Sequence, residues 1–165
     1  MSGVRHFTAT GFVICDEHVL LHWHPKVKAW LPPGGHINEN EDPVQAVLRE
    51  IQEETGICAE VVPMDKPLRF QYPSQLPSPI TIMIEDISDP ESGYHQHIDM
   101  IYFCRPIGAP GALKEGWVWV KRVDIIEATP LTIGGVHAEP PPEDVRLLAL
   151  KAFDAITEMF LEGYD

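Results

Sequence analysis

Four glutamates and one arginine stand between residues 41 and 54, at spacings that could assemble a cation site. Three of them, Glu50, Glu53 and Glu54, occur at i, i+3 and i+4, so on a helix their carboxylates share one patch. Like charges at these spacings destabilise a helix by about 0.2–0.5 kcal/mol per pair. A hard divalent cation such as Mg²⁺ or Mn²⁺ reverses this balance, because it takes carboxylate oxygens as ligands. The alternative is a solvated acidic helix face.

The helix that carries these carboxylates is predicted from about residue 43 to residue 55. Asp42 is a good N-cap, and Pro43 suits the first helical position because it has no N–H to leave unpaired. Gly56 is placed to end the helix in a left-handed turn. Apolar residues recur at steps of three and four and predict a stripe that faces a core: Val44, Val47, Leu48 and Ile51.

A turn-rich loop precedes this helix and favours a binding site over a solvated acidic face. Residues 30–36 read WLPPGGH, in which adjacent prolines and glycines let a backbone carbonyl approach a ligand closely. Arg49 supports the same interpretation, since its planar fork can hold one carboxylate bidentately and so orient the cluster.

The stretch from Gly35 to Ile57 reads GHINENEDPVQAVLREIQEETGI. Five residues separate Gly35 from Glu41, and seven more precede the run that begins at Arg49 and reads REIQEETGI. At every defined position this pattern resembles the signature box of the Nudix (MutT-like) hydrolases.

The resemblance implies a fold and a cofactor. The fold is α/β, the Nudix α/β/α sandwich with a mixed β-sheet between helices, and we expect residues 1–165 to form one such domain. The cofactor is Mg²⁺ or Mn²⁺, held by the carbonyl of Gly34 and by the carboxylates of Glu50, Glu53 and Glu54.

The resemblance also implies roles for the remaining box residues. Catalytic roles fall on Glu50, Glu53 and Arg49. Glu41 is implied to pair with Arg49. Like Gly35 and Gly56, it would support the structure of the site.

The implied activity is hydrolysis of a diphosphate linkage, with water as the nucleophile and a carboxylate as general base. Members of the family differ on that base, which is a box glutamate in some and a distant glutamate in others. Candidates for a distant glutamate are Glu85, Glu91 and Glu115, and no spacing rule chooses among them.

The box leaves open what is attached to the diphosphate. A nucleoside di- or triphosphate, a nucleotide sugar, ADP-ribose, a dinucleoside polyphosphate and a diphosphate without a nucleotide all fit. Within the family, a proline or tyrosine some way past the box has been linked to particular substrates, but Tyr72 and Pro73 stand in a proline-rich loop where agreement by chance is easy.

Residues outside the carboxylate cluster could contact the substrate. Arg69, Tyr72 and His36 are candidates, and Lys26 and Lys28 could supply positive charge, although surface charge is the simpler interpretation. Aromatic residues that could stack on a base, but are more typical of core packing, are Trp23, Trp30, Phe70, Tyr72 and Tyr94.

Composition limits the classes of protein. The net charge of −13 repels polyanions and argues against a nucleic acid polymer as partner. There is no apolar run of membrane-spanning length and no secretory signal, so we expect a cytoplasmic protein. The cysteines Cys15, Cys58 and Cys104 stand in apolar runs and are predicted to be reduced core residues. The oligomeric state stays open, although family members are often dimers.

Two rival functions remain. One is a Nudix-like sensor that binds a nucleotide without turnover. The other is a zinc module built on two H-x-H pairs, His22 with His24 and His95 with His97, although partly buried polar histidines are the more ordinary interpretation.

The surrounding elements are predicted from alternation and periodicity. Strands are expected over 7–14 and 19–23 as a hairpin, then over 80–84, 98–104 and 116–120. A C-terminal helix is predicted from about residue 143 to 161, with one apolar stripe: Val145, Leu148, Ala149, Ala152, Ile156, Met159 and Phe160.

Overall fold

The computed structural model describes residues 4–90, 93–133 and 136–161. Its strands are β1 (Arg5–Cys15), β2 (His18–His24), β3 (Ala29–Leu31), β4 (Gly34–His36), β5 (Ala59–Val61), β6 (Thr81–Asp89), β7 (Gly93–Pro106), β8 (Trp117–Lys121), β9 (Thr132–Ile133) and β10 (Val136–His137). Its helices are α1 (Pro43–Thr55), α2 (Arg122–Ile126) and α3 (Glu143–Leu161).

Local signals at both ends of α1 set its limits. The Asp42 side chain accepts a hydrogen bond from the Gln45 backbone N–H at 2.9 Å, and the Gln45 side chain accepts one from the Asp42 N–H at 3.0 Å. This reciprocal capping box satisfies two donors at the start of the helix. Gly56 ends it with φ of 82°, a left-handed conformation that favours glycine. The predicted helix over 43–55 is confirmed.

A mixed sheet forms the centre of the fold, as the resemblance implies. β1 pairs in parallel with β7 from Arg5 to Val13, and antiparallel with β4 through Thr8–Thr10. β6 and β5 add to β7, while β2 pairs with the end of β1 and carries β3 and β8.

The two faces of β1 and β7 build two separate apolar cores, because successive side chains of a strand point to opposite faces. One face packs against α1 and contributes Ala9, Val13, Tyr102 and Cys104, with Val47 and Ile51 from the helix. The other packs against α3 and contributes Phe12, Ile14, Ile101 and Phe103, with Val145, Ala149 and Phe153 from that helix. The helices therefore sandwich the sheet.

The C-terminal helix is confirmed with the predicted bounds. Val145, Ala149, Ala152 and Ile156 of its predicted stripe are buried. Phe153, which the prediction did not include, is also buried, with 1% of its surface exposed. The side chain of Phe160 lies outside the described part of the chain.

Several elements differ from the prediction. The 30–36 loop contains two short strands, β3 and β4, on either side of Pro32 and Pro33. β6 ends later than predicted, at Asp89, and β7 begins earlier, at Gly93. The two strands stay paired past their apolar runs into polar residues. The helix α2 and the pair β9–β10 were not predicted, since short elements carry little periodicity.

The cysteine prediction is partly wrong. All three cysteines are free, and Cys104 is fully buried. Cys58 is exposed, because it lies just before the short edge strand β5, where the chain leaves α1. None of the described helices is long and apolar enough to cross a membrane.

Candidate active site

The carboxylates of α1 face the glycine strand β4. The Gly34 N–H donates a hydrogen bond to Glu54 Oε2 at 3.1 Å. At Gly35 there is no room for a side chain, since a Cβ would lie 2.6 Å from Cδ and Oε1 of Glu50. The glycines therefore permit the helix to bring its carboxylates against the backbone of β4.

The register of β4 against β1 decides where the Gly34 carbonyl points. The Gly11 N–H donates to Pro33 O at 2.9 Å and the Ile37 N–H donates to Phe7 O at 3.0 Å, so these residues form hydrogen-bonded pairs across the ladder. In an antiparallel ladder such pairs alternate with pairs whose backbone groups point away from the partner strand. Gly34 lies in the second class, and its N–H and C=O are directed away from β1, to the side that Glu54 occupies.

Arg49 connects the acidic residues into one network. Its Nε and Nη2 donate to the two carboxylate oxygens of Glu41 at 2.8 and 3.0 Å, a bidentate pair. Its Nη1 donates to Glu50 at 2.7 Å and to Glu53 at 3.1 Å. Nη2 also donates to the backbone carbonyl of His36 at 3.0 Å. The predicted tie between Glu41 and Arg49 is therefore present.

A second positively charged side chain, Lys114, contacts the C-terminal end of α1, and the sequence analysis did not identify it. The Lys114 Nζ donates to the carbonyl oxygen of Glu53, and the Lys114 N–H donates to Thr55 O at 3.0 Å. A cation at the last carbonyls of a helix is favourable because the macrodipole is negative there. The signal was weak in the sequence, since 61 residues separate Glu53 from Lys114.

The electrostatics of the cluster follow from crowding and burial. Burial, then the charges of Glu50 and Glu53, raises the pKa of Glu54 to about 7, against the lowering effect of the Gly34 hydrogen bond. The hydrogen bond from Arg49 lowers the pKa of Glu41, and the pKa of Arg49 is raised by its hydrogen bonds to Glu41 and Glu50. The cluster concentrates more negative charge than Arg49 offsets.

This donor set fits a hard divalent cation. Three carboxylates and a backbone carbonyl are oxygen donors of the kind that Mg²⁺ and Mn²⁺ prefer. The close approach at Gly35 shows that the backbone of β4 lies directly against Glu50.

Comparison with known proteins agrees with this geometry. The NUDIX domain matches residues 5–136, most of the chain. The chain belongs to the NUDIX family.

Individual relatives match the chain over shorter stretches. The RNA pyrophosphohydrolase of Saccharophagus degradans is 36% identical over 73 residues, which are 40% of this chain and 43% of that protein. The 8-oxo-dGTP diphosphatase of Proteus vulgaris is 47% identical over 51 residues, 27% of this chain and 46% of that protein. The matched segments span less than half the length of these relatives.

A solved structure is similar over nearly its whole length. A NUDIX-family hydrolase from Clostridium perfringens is 28% identical, with a TM-score of 0.71, and the match covers 92% of this chain and 98% of that one. The α/β fold with a mixed sheet and flanking helices is therefore the NUDIX fold.

A cavity of about 660 Å³ opens beside the loop that follows β4 in this NUDIX domain. His36 and Asn38, which line it, belong to the segment that supports Arg49 and Glu41. The other lining residues are His6, Phe7, Ile37, Pro43 and Met100. Of the predicted substrate-binding residues, His36, which lies within the box, thus lines this cavity.

The remaining predicted contacts lie elsewhere. Arg69 and Tyr72 are exposed in the segment between β5 and β6 and have no described contact with the box; Tyr72 is 88% exposed. Lys26 and Lys28 are exposed in the turn between β2 and β3. Trp30 is fully buried and donates its indole N–H to Glu139 O at 2.9 Å, so it is a core residue.

The three glutamates predicted as candidates for a distant general base lie in different surroundings. Glu85 faces Asp99 and Asp144; burial and then their charges raise its pKa to about 7. Glu115 is exposed and follows Lys114, which contacts the end of α1. Glu91 lies outside the described residues. The choice of a distant base stays a prediction.

A buried acid that was not predicted lies across the sheet from α1. Asp99 is 3% exposed and accepts a hydrogen bond from the Thr8 hydroxyl at 2.8 Å. Burial raises its pKa, although hydrogen bonds from Thr10 and Thr8 oppose that shift. An aspartate inside the apolar run of β7 was the signal that could have identified it.

Histidine rings cluster on the same face. Four rings gather, with centroids 4.9–5.1 Å apart for neighbouring pairs: His6, His36, His95 and His97. Burial, then the neighbouring histidines, lowers the pKa of His97 to about 4. His22 and His24 lie together on β2, apart from His6, His95 and His97, whose ring nitrogens lie within 4.8 Å of one another, so among the described residues the two H-x-H pairs do not form a common site.

Proposed function

We propose that this NUDIX protein hydrolyses the diphosphate linkage of a nucleoside diphosphate derivative in a reaction that depends on Mg²⁺ or Mn²⁺. One observation carries the proposal: Arg49, on a helix that lies against the glycine backbone of β4, gathers the carboxylates of Glu41, Glu50 and Glu53. Such a concentration of carboxylates opposes helix stability and needs a cation to balance it.

In the proposed mechanism, Glu50, Glu53 and Glu54 would hold the cation together with the Gly34 carbonyl. When bound, this cation acts as a Lewis acid that polarises phosphoryl oxygens and offsets charge on the leaving group. Arg49 orients Glu50 and Glu53, each through one carboxylate oxygen.

Water attacks phosphorus, the P–O bond of the anhydride breaks, and a carboxylate takes the proton of the water. Glu50 and Glu53 are the proposed bases. Glu41 positions Arg49 and does not itself contact the substrate, while Gly35 and Gly56 allow the close approach and the sharp end of α1.

The substrate class is proposed from charge and from the names of relatives. The relatives are named for RNA and for 8-oxo-dGTP. A net charge of −13 disfavours a long polyanion and supports a small nucleotide, whose phosphates need only the local cation.

Three further features stay predictions. One domain over residues 1–165 is supported by α3, which packs onto the same sheet as the NUDIX box. A cytoplasmic location is consistent with the three free thiols. A homodimer is left open.

The proposal is tested by product analysis. The protein with Mg²⁺ or Mn²⁺ is incubated with nucleoside triphosphates, 8-oxo-dGTP, ADP-ribose, nucleotide sugars, dinucleoside polyphosphates and RNA that carries a 5′-triphosphate, and both products are identified by chromatography. Cleavage at a diphosphate linkage that is lost in Glu53→Gln and retained in the surface variant Glu60→Gln supports the proposal. Metal-dependent binding with no cleavage of any substrate contradicts it and favours a nucleotide sensor.

A further inference from the structure

Strand register brings four histidines to one face of the sheet. His6 of β1 and His97 of β7 are partners in the parallel ladder, so their side chains project from the same face. His95 stands two residues before His97 and shares that face. His36 of β4 pairs with Thr8, which stands two residues after His6. The four rings therefore converge although they come from three strands.

The distances between the ring nitrogens suit a tetrahedral metal site. Nδ1 of His6 lies 3.1 Å from Nε2 of His36, and Nε2 of His95 lies 3.3 Å from Nε2 of His97. One ring nitrogen from each of His6, His95 and His97 lies within 4.8 Å of the others. A tetrahedral ion with metal–nitrogen bonds of about 2.0–2.1 Å requires its ligand nitrogens to be about 3.3–3.4 Å apart. The two close nitrogen pairs are already near this spacing, the other distances must shorten by ring rotation, and His36 joins the group of three through His6.

A backbone carbonyl already selects the tautomer of His95 that can bind a metal. Nδ1 of His95 lies 3.1 Å from the carbonyl oxygen of Gly93. A carbonyl oxygen can only accept, so Nδ1 carries the hydrogen and Nε2 presents its lone pair to His97. Metal-ligating histidines commonly have this second hydrogen bond, which fixes the orientation of the ring. His95 is also buried, with 6% of its surface exposed.

We propose that His6, His36, His95 and His97 form a second metal site that binds one transition-metal ion, with Zn²⁺ as the representative. Neutral imidazole nitrogens suit Zn²⁺ and related ions, whereas Mg²⁺ takes oxygen ligands. The site is distinct from the carboxylate cluster, because the side chain of His36 and the Cβ position of Gly35, which faces Glu50, lie on opposite faces of β4.

The two sites share the β4 backbone. The carbonyl of His36 accepts a hydrogen bond from Arg49 Nη2 at 3.0 Å. An ion bound by the His36 ring would therefore fix the segment that positions Arg49. The proposal does not depend on diphosphate hydrolysis, and either can fail without the other.

Binding of the metal alone tests the site. Protein freed of metal with a chelator is titrated with Zn²⁺ by calorimetry, and with Co²⁺ while the visible ligand-field spectrum is recorded. We expect one ion per chain with the intense absorption of tetrahedral cobalt. His95→Ala and His36→Ala should each weaken Zn²⁺ binding by at least about tenfold, since loss of a direct ligand exceeds the effect of losing a supporting hydrogen bond.

Two variants serve as controls. His24→Ala removes a histidine from the other H-x-H pair and should retain Zn²⁺ affinity. Glu54→Gln removes a carboxylate of α1 and should also retain it. Zn²⁺ affinities of His95→Ala and His36→Ala that both lie within twofold of the wild-type value would overturn the proposal. Binding that is lost only in Glu54→Gln, or that is absent from the wild-type protein, would also overturn it.

Nitrogen-15 spectra of the histidine side chains give a second readout. We expect a hydrogen on Nδ1 of His95 before the addition of Zn²⁺, and a shift of its Nε2 resonance after it. If His95→Ala does not fold, as judged by circular dichroism, the exposed His36→Ala variant decides the test. A His95 Nε2 resonance that is unchanged at saturating Zn²⁺ contradicts the proposal.

Discussion

Arg49 holds Glu41 through two parallel hydrogen bonds of 2.8 and 3.0 Å, and the side chain of Glu41 is 13% exposed. A second Glu41 contact, from the Asn38 N–H at 3.0 Å, joins the pair to the loop between β4 and α1. The ion pair thus positions the residues on both sides of it.

Replacing Arg49 should therefore cost both stability and turnover. Arg49→Lys keeps a positive charge but removes the fork, and we expect a loss of roughly 1–3 kcal/mol in the free energy of unfolding with a clear fall in kcat. Arg105→Lys is a matched control, because its pair with Glu60 is 41% and 47% exposed and should contribute about 0–1 kcal/mol. Denaturant unfolding and steady-state kinetics measure both effects. Equal losses in the two variants would show that Arg49 is an ordinary surface ion.

Glu54→Gln should separate function from stability. The amide oxygen can still accept the hydrogen bond from the Gly34 N–H, while the change removes repulsion with Glu50 and Glu53 of about 0.2–0.5 kcal/mol per pair. We expect an unchanged or slightly raised melting temperature without metal, weaker Mg²⁺ binding and a large fall in kcat. Full turnover at the Mg²⁺ concentration that saturates the wild-type protein would exclude Glu54 as a ligand.

Gly35→Ala should displace Glu50. The new Cβ would lie 2.6 Å from the Glu50 carboxylate, so this carboxylate must rotate away and lose its hydrogen bond to Arg49, at a cost of roughly 1–3 kcal/mol. Turnover should fall with stability. Gly111→Ala is the control, since a Cβ there meets no atom within 4 Å. Thermal melts and kinetics of the two variants give the comparison, and a Gly35→Ala protein with wild-type kcat would contradict the packing described for Gly35.

Glu85 should make stability depend on pH. Its pKa is raised from 4.5 to about 7 in the folded protein, so the folded state binds the proton more tightly than the unfolded state. The free energy of unfolding therefore falls as the pH rises from about 4.5 to 7.

Glu85→Gln removes this dependence. The free energy of unfolding of the variant, relative to that of the wild-type protein, should be higher at pH 8 than at pH 5 by on the order of 1–3 kcal/mol. Urea unfolding at the two pH values measures it, with the exposed Glu158→Gln as control. A difference between Glu85→Gln and wild type that does not change with pH would show that Glu85 ionises normally.

Local sequence signals were sufficient for the two long helices, α1 and α3, and for the convergence of the carboxylates on α1. The capping residues Asp42 and Gln45, the apolar stripe and Gly56 act within a few residues, so the limits of α1 could be predicted. The same is true of α3 and of the convergence of Glu50, Glu53 and Glu54, because side chains at i, i+3 and i+4 meet on any helix.

Other features of the site depend on contacts between distant parts of the chain, and only the tertiary structure decided them. The direction of the Gly34 carbonyl follows from the register of β4 against β1, and the contact of Lys114 with α1 joins residues 61 apart. The histidine cluster and the bond between Thr8 and Asp99 join residues up to 91 apart. Strand pairing sets these contacts, and pairing depends on which apolar faces the whole chain can bury together, which no short segment of sequence specifies.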